Sequence, residues 1–154
     1  MAQELKISFQ DDETKEFLSE SQFGFSTEGA VGLDLVATSI VKNTVNEVWY
    51  QTGIAIEPPE GYAGFLYPRS SVSETEPRIV LANSVGVIDP DYRGLIQVRF
   101  NKMYRSLTTP YRVGDRIAQL VFKKALSKSD LTVKAVESLS KTERGEGGFG
   151  STGE

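Results

Sequence analysis

The sequence contains no cysteine and no histidine. Without cysteine there can be no disulfide, no thiolate metal site and no thiol nucleophile. Without histidine there is no Ser-His-Asp relay, no imidazole-ligated zinc and no imidazole acid–base catalysis. Chemistry is left to carboxylates, Arg and Lys, hydroxyls, backbone groups and a hard metal ion. Magnesium suits that set, because it prefers oxygen and commonly binds through carboxylates and phosphates. Long apolar runs are also missing: none approaches the roughly 18 residues of a membrane span. The opening residues, Met1-Ala-Gln-Glu-Leu-Lys6, do not set a basic stretch before an apolar one. No secretory leader is read, and a cytoplasmic location is expected. Positive charge is scarce: 17 Lys and Arg face 21 Asp and Glu, a net charge of −4. That balance argues against a nucleic-acid face, while a few local Arg residues could still hold one nucleotide. Neither a nucleic acid nor a membrane is expected as a partner.

What is present fits a single folded unit. A chain of 154 residues, 39% of them hydrophobic, can close a core without staples. Leu5–Phe9 alternates and reads as a strand. Residues 11–26 are polar, with Phe17, Leu18, Phe23 and Phe25 as anchors. Gly32–Ala37 reads as a buried strand with one acid inside it. Glu47–Ile56 is a strand pattern interrupted by Gly53, where a bulge is expected. Tyr62–Tyr67 is a further strand, followed by a helical turn at Val72–Thr75. Arg116–Phe122 and Leu131–Val136 complete the strands. Short strands with frequent Gly, Pro and Asp turns, and almost no helical period, predict an all-β sandwich or jelly roll.

The chain is organised around Asn83–Gly94. An apolar run, Arg78–Ala82, leads into it and an alternating run, Leu95–Phe100, leads out. That pattern predicts a β-hairpin, with turn chemistry in Asp89-Pro90-Asp91 and Gly94. Asp89 and Tyr92 sit at the turn. Gly86 sits where a ligand could approach the backbone. From Lys141 the composition changes, and Arg144–Gly153 holds five glycines in ten residues. A tail of that kind is expected to be mobile when free. Yet it carries a cation, Arg144, a ring, Phe149, and two hydroxyls, Ser151 and Thr152. Its backbone could curl N–H groups around an anion.

Together these residues resemble the trimeric dUTPase family. Five family motifs appear in order. Val31-Gly-Leu-Asp-Leu35 resembles the first, with Val31 where the family usually has Ala. Pro68-Arg-Ser-Ser71, Asn83–Gly94, Gly114–Leu120 and Arg144–Gly153 resemble the second to fifth. The resemblance implies a distorted jelly roll with one short helix, assembled as a homotrimer. Residues 1–140 would form the hydrolase domain and residues 141–154 an arm that closes over the site.

The activity implied is hydrolysis of dUTP to dUMP and pyrophosphate, by water attack on the α-phosphorus. Asp89 would orient and deprotonate that water, and an ionised carboxylate suits the task. Main chain at Gly86, Val87 and Ile88 would pair with uracil, and Asn83 would add an amide near the base. Tyr92 would lie under the deoxyribose and exclude a 2′-OH. Phe149 would stack on uracil when the tail closes. Arg69, Ser70, Ser71, Gln119, Arg144, Gly148, Ser151 and Thr152 would grip the triphosphate. Asp34 would hold Mg2+ through water. Each assignment has a plainer counterpart: Tyr92 as a half-buried strand tyrosine, Asn83 as a strand-end polar group, and Asp34 as an acid satisfying a local turn. Arg93 and Arg116 read as structural partners of neighbouring acids. Alternatives for the whole chain are a dCTP deaminase-like enzyme of the same fold and a dUTPase-fold regulatory binding protein. A deaminase-like turn would carry a bulky Trp-Glu-Gly where this chain has Tyr92-Arg93-Gly94.

Overall fold

The computed structural model describes residues 3–148. Alternation decides most of it. In Glu47–Gln51 (β5) the inward residues are Val48 and Tyr50. In Gln97–Lys102 (β10) they are Val98, Phe100 and Lys102. The two strands pair antiparallel, with Trp49 opposite Arg99 and Tyr50 opposite Val98. Ser39–Asn43 (β4) and Ile79–Leu81 (β8) flank them, giving one four-stranded sheet in the order β4-β5-β10-β8. A second sheet holds Gly24–Phe25 (β2), Gly32–Val36 (β3), Tyr62–Pro68 (β7), Gly86–Ile88 (β9) and Arg116–Lys124 (β11), ordered β2-β3-β11-β7-β9. Lys6–Phe9 (β1) pairs with Ile54–Glu57 (β6) in a separate ribbon. Buried residues of both larger sheets, among them Leu33, Leu35, Tyr50, Phe100, Ile117 and Leu120, form one core. The expected all-β jelly roll is what the chain adopts.

Three expectations change in detail. Gly53 does not bulge a single strand. Its φ of +68° turns the chain between β5 and β6, which belong to different sheets; Thr52 secures the corner by donating to the Ile96 carbonyl at 2.8 Å. The stretch 11–26 contains an α-helix, Asp12–Glu20 (α1). Asp11 caps it, accepting from the Thr14 N–H at 2.7 Å, and Leu18 is its buried anchor. That cap was readable, but a nine-residue helix with a single fully buried residue leaves too narrow an apolar stripe to show as a period. Leu131–Val136 forms no strand. Leu131, Val133 and Val136 lie exposed, and the segment pairs with no strand edge among the described residues. The helical turn expected at 72–75 is present as a 3-10 helix over Ser70–Glu74.

The central hairpin forms and does something further. Its arms pair as expected, Phe100 opposite Leu81. Between them, β9 crosses to the other sheet and pairs with β7, Leu66 facing Gly86 and Gly64 facing Ile88. A Cβ on Gly86 would stand 3.0 Å from the Leu66 Cβ. This close packing is a second demand for glycine there, beside any approach of a ligand.

Candidate active site

Two clefts carry the residues singled out above. The first is an open groove of about 620 Å³ lined by Asn83, Val87, Ile88, Asp89, Tyr92 and Arg99, among others. One wall is β9, the last strand of its sheet, so one of its backbone edges is unpaired among the described residues. Such an edge presents N–H and C=O groups in fixed alternation. The turn beyond it is tightly held. Tyr92 N–H donates to the Asp89 carbonyl at 3.1 Å. Arg93 donates to the carbonyls of Pro90 at 2.6 Å and Tyr92 at 3.1 Å, and pairs with Glu57 at 3.5 Å. The Tyr92 hydroxyl donates to the Leu95 carbonyl at 3.3 Å. A Cβ on Gly94 would fall 2.3 Å from that hydroxyl oxygen and displace the ring. The result is a rigid turn presenting an exposed Asp89 carboxylate that makes no side-chain hydrogen bond among the described residues.

The second cleft, of about 260 Å³, is lined by Asp34, Arg69, Ser70, Arg116, Gln119 and Gly32, among others. Sheet register builds it: Asp34 on β3 faces Gln119 on β11, which faces Tyr67 on β7, just ahead of Arg69. Asp34 is clamped by two cations. Arg69 Nε donates to Oδ1 and an Arg116 terminal nitrogen donates to Oδ2, both at 3.1 Å. Two guanidiniums against one carboxylate leave net positive charge. Gln119 donates to the Pro68 carbonyl at 3.1 Å, and its side chain occupies the space a Cβ on Gly32 would need. Ser71 faces an adjoining hollow, again with Arg69 and Arg116.

Asp34 thus has both oxygens engaged by guanidinium groups. Among the described residues, no three His, Cys, Asp or Glu side chains gather where they could hold an ion. The donor set fits an ion carried on phosphate oxygens and reached from Asp34 through water, not a cage of protein ligands.

The two clefts share no lining residue. Because Ile88 faces Gly64, Asp89 lies beside Ala63, six residues along β7 from Arg69. At ~3.3 Å per residue that is roughly 20 Å. One phosphorus cannot touch both from a single chain. Of the tail residues, Arg144 sits in an exposed turn, its Nε donating to the Gly147 carbonyl at 2.8 Å, and Gly148 is half-exposed. Phe149, Ser151 and Thr152 lie outside the described residues.

The sequence pattern missed two contributors. Arg116 is ion-paired, as read, but its acid is Asp34 and it lines the cationic cleft. Arg99 lines the first groove, its guanidinium 4.1 Å from the Trp49 ring centroid and bonded to Gln97 at 3.2 Å. The alternation of β10, which sends Gln97 and Arg99 to one face, was the available signal.

Comparison with known proteins settles the lineage. The dUTPase family model matches residues 21–153. The chain belongs to the dUTPase family. A deoxyuridine 5′-triphosphate nucleotidohydrolase of Hydrogenobaculum sp. is 40% identical over 131 residues, 84% of this chain and 88% of that protein. One from Desulfotalea psychrophila is 37% identical over 153 residues, 97% of this chain and 99% of its own. Among solved structures, the dUTPase of Staphylococcus bacteriophage 80alpha with dUPNHPP superposes with a TM-score of 0.77 at 24% identity, covering 99% of both chains. The dUTPase of phage phi11 of S. aureus gives a TM-score of 0.65 at 21% identity, covering 90% of this chain and 99% of that one. These two share the dUTPase fold. A variant of the phi11 protein is described as coordinating a structural Mg(II) ion.

Proposed function

We infer that this dUTPase-family chain hydrolyses dUTP to dUMP and pyrophosphate, water attacking the α-phosphorus. Such an enzyme keeps uracil out of DNA and supplies dUMP for dTMP synthesis. The observation that carries the reading is the Asp89 carboxylate, exposed and, among the described residues, free of side-chain bonds, on a hydrogen-bonded turn at the rim of a groove walled by a strand edge that no described residue pairs with. A carboxylate so placed can orient a water and take its proton.

The edge of β9 recognises the base. Uracil offers an acceptor at O4 and a donor at N3, which a backbone edge can complement. Cytosine turns an amino donor toward the same place and leaves two donors facing. Asn83 adds a side-chain amide nearby. Tyr92, pinned by its bond to Leu95, lies under the deoxyribose and leaves no room for a 2′-OH. Arg69, Ser70, Ser71 and Gln119 bind phosphate oxygens, the guanidinium supplying a planar fork. The arm, residues 141–154, brings Arg144, Gly148, Ser151 and Thr152 to the phosphates and Phe149 to the uracil face. Mg2+, when bound, would neutralise charge on the phosphates, and Asp34 would hold it through water.

The two clefts meet only between copies, and we place the protein in a homotrimer whose sites each draw the cationic cleft from one chain, the hairpin from a second and the arm from a third. Among the described residues no helix is long and apolar enough to cross a membrane, and the cytoplasm is the proposed location. The test is a panel of nucleoside triphosphates with magnesium, the products separated. Pyrophosphate from dUTP alone is expected. Ammonia from dCTP would instead support the deaminase-like alternative.

A further inference from the structure

Tyr111 carries a hydroxyl that the fold does not use. Its ring packs on Tyr50, with centroids 6.2 Å apart, and on Phe100 at 5.8 Å. Its main chain is fixed by the Tyr50 hydroxyl, which donates to the Tyr111 carbonyl at 3.0 Å and accepts from the Tyr111 N–H at 3.1 Å. A phenylalanine ring would satisfy all of this. Yet the residue is only 7% exposed, and its buried Oη has no hydrogen-bond partner among the described residues. Buried hydroxyls are nearly always paired, because an unpaired one costs the fold its desolvation.

The surroundings suggest what the hydroxyl is for. Tyr111 lines a cleft of about 540 Å³ with Arg69, Ser71, Asp115 and Arg116. Arg69 and Arg116 also line the cationic cleft, so this hollow is its flank. Burial holds the Tyr111 proton on more firmly than usual, while Ser71 and the Arg69 guanidinium act against that. Ser71 lies in the 3-10 helix that Arg69 caps. Tyr111 therefore shares this hollow with the turn that carries Ser71 and is capped by Arg69.

On the reading that this face grips the triphosphate, we propose that Tyr111 is a positioning residue for Ser71: when phosphate arrives, Tyr111 Oη donates to Ser71 Oγ, and Ser71 turns its own proton to a phosphate oxygen. A serine hydroxyl has one donor and two acceptor sites. Filling an acceptor site from behind leaves the proton to point forward, and polarises it. Contacts of this kind are often open in the free protein and close on the ligand.

Tyr111→Phe tests the proposal in the assembled full-length protein, with inorganic pyrophosphate as the calorimetric probe. Removing an unpaired buried hydroxyl should leave Tm unchanged or raised. Pyrophosphate affinity should fall roughly fivefold, the worth of one hydrogen bond, and KM for dUTP should rise by a similar factor with kcat little changed. Ser71→Ala should lose at least as much, and the double variant no more than Ser71→Ala alone. Pyrophosphate affinity of Tyr111→Phe within twofold of the parent would overturn the proposal. So would losses that add in the double variant, or a parent that does not bind pyrophosphate. Absence of dUTP turnover by the parent would sink the proposed activity instead; the pyrophosphate titration needs no turnover and still decides the role of Tyr111.

Discussion

Arg69 donates through Nε to Asp34 Oδ1 at 3.1 Å, and among the described residues its two terminal nitrogens make no hydrogen bond. The acid therefore fixes the guanidinium by its side and leaves its fork forward, the geometry that grips phosphate. Asp34→Asn should loosen Arg69 and leave two guanidiniums without a counter-charge. We expect KM for dUTP to rise, and stability to drop by about 2–3 kcal/mol, below the figure for a fully buried pair because both cations are partly wet. Urea unfolding checks the second part. A midpoint equal to the parent's would show that the clamp contributes nothing to the fold.

Gly32 and Gln119 make a sharper test of the same cleft. A Cβ on residue 32 would fall 2.3 Å from Gln119 Oε1, the far end of a flexible side chain. Gly32→Ala should displace that amide and break its bond to Pro68 with little harm to the sheet. The expected result is a raised KM for dUTP, roughly fivefold for one lost hydrogen bond, at near-parent stability. Unchanged kinetics would remove Gln119 from the phosphate site.

Tyr92 sets sugar choice on this account. Its ring is held in place by Leu95 and Gly94 but is 46% exposed, so Tyr92→Ala should fold. The ratio of kcat/KM for dUTP over UTP should fall at least about tenfold, since steric exclusion is what the ring supplies. A ratio equal to the parent's would contradict the role.

Alkaline stability has a definite sign. Burial pushes the Tyr50 phenol up to about 12, from an ordinary value of 10.0. Above pH 10 the unfolded chain gives up this proton first. The contribution is complete below pH 10 and is lost as pH rises toward 12, amounting to about 3 kcal/mol at most. Urea midpoints should fall between about pH 9 and about pH 11.5, and fall less in Tyr50→Phe. Parallel curves for the two proteins would contradict this.

Legibility followed locality. Strands whose apolar residues alternate or run together, such as β5, β7, β10 and β11, were readable, because side-chain period is a property of the segment itself. So was the turn at Asp89–Gly94. α1 was missed because one buried leucine is too little periodicity, though Asp11 signalled its cap. The crossing of β9 to the second sheet was also missed, since its sequence is equally compatible with a plain hairpin. Leu131–Val136 read as a strand because its residues favour one; whether it pairs depends on an edge outside the segment. Arg116 was read as an ion-pair partner, but only the register of β3 against β11 shows that its acid is Asp34. Motif order brought Asp89 and Arg69 into one site, and the register explains why one chain cannot.

Mixed oligomers test whether the cationic cleft and the hairpin of one site come from different chains. Asp89→Asn and Arg69→Ala should each be nearly inactive alone. Unfolded together in equal amounts and refolded, they should recover about one quarter of parental dUTP hydrolysis, because random closed assembly pairs an intact cationic cleft with an intact hairpin at about that share of sites. Sites formed within single chains would recover none, and activity no greater than the average of the two variants alone would contradict the account.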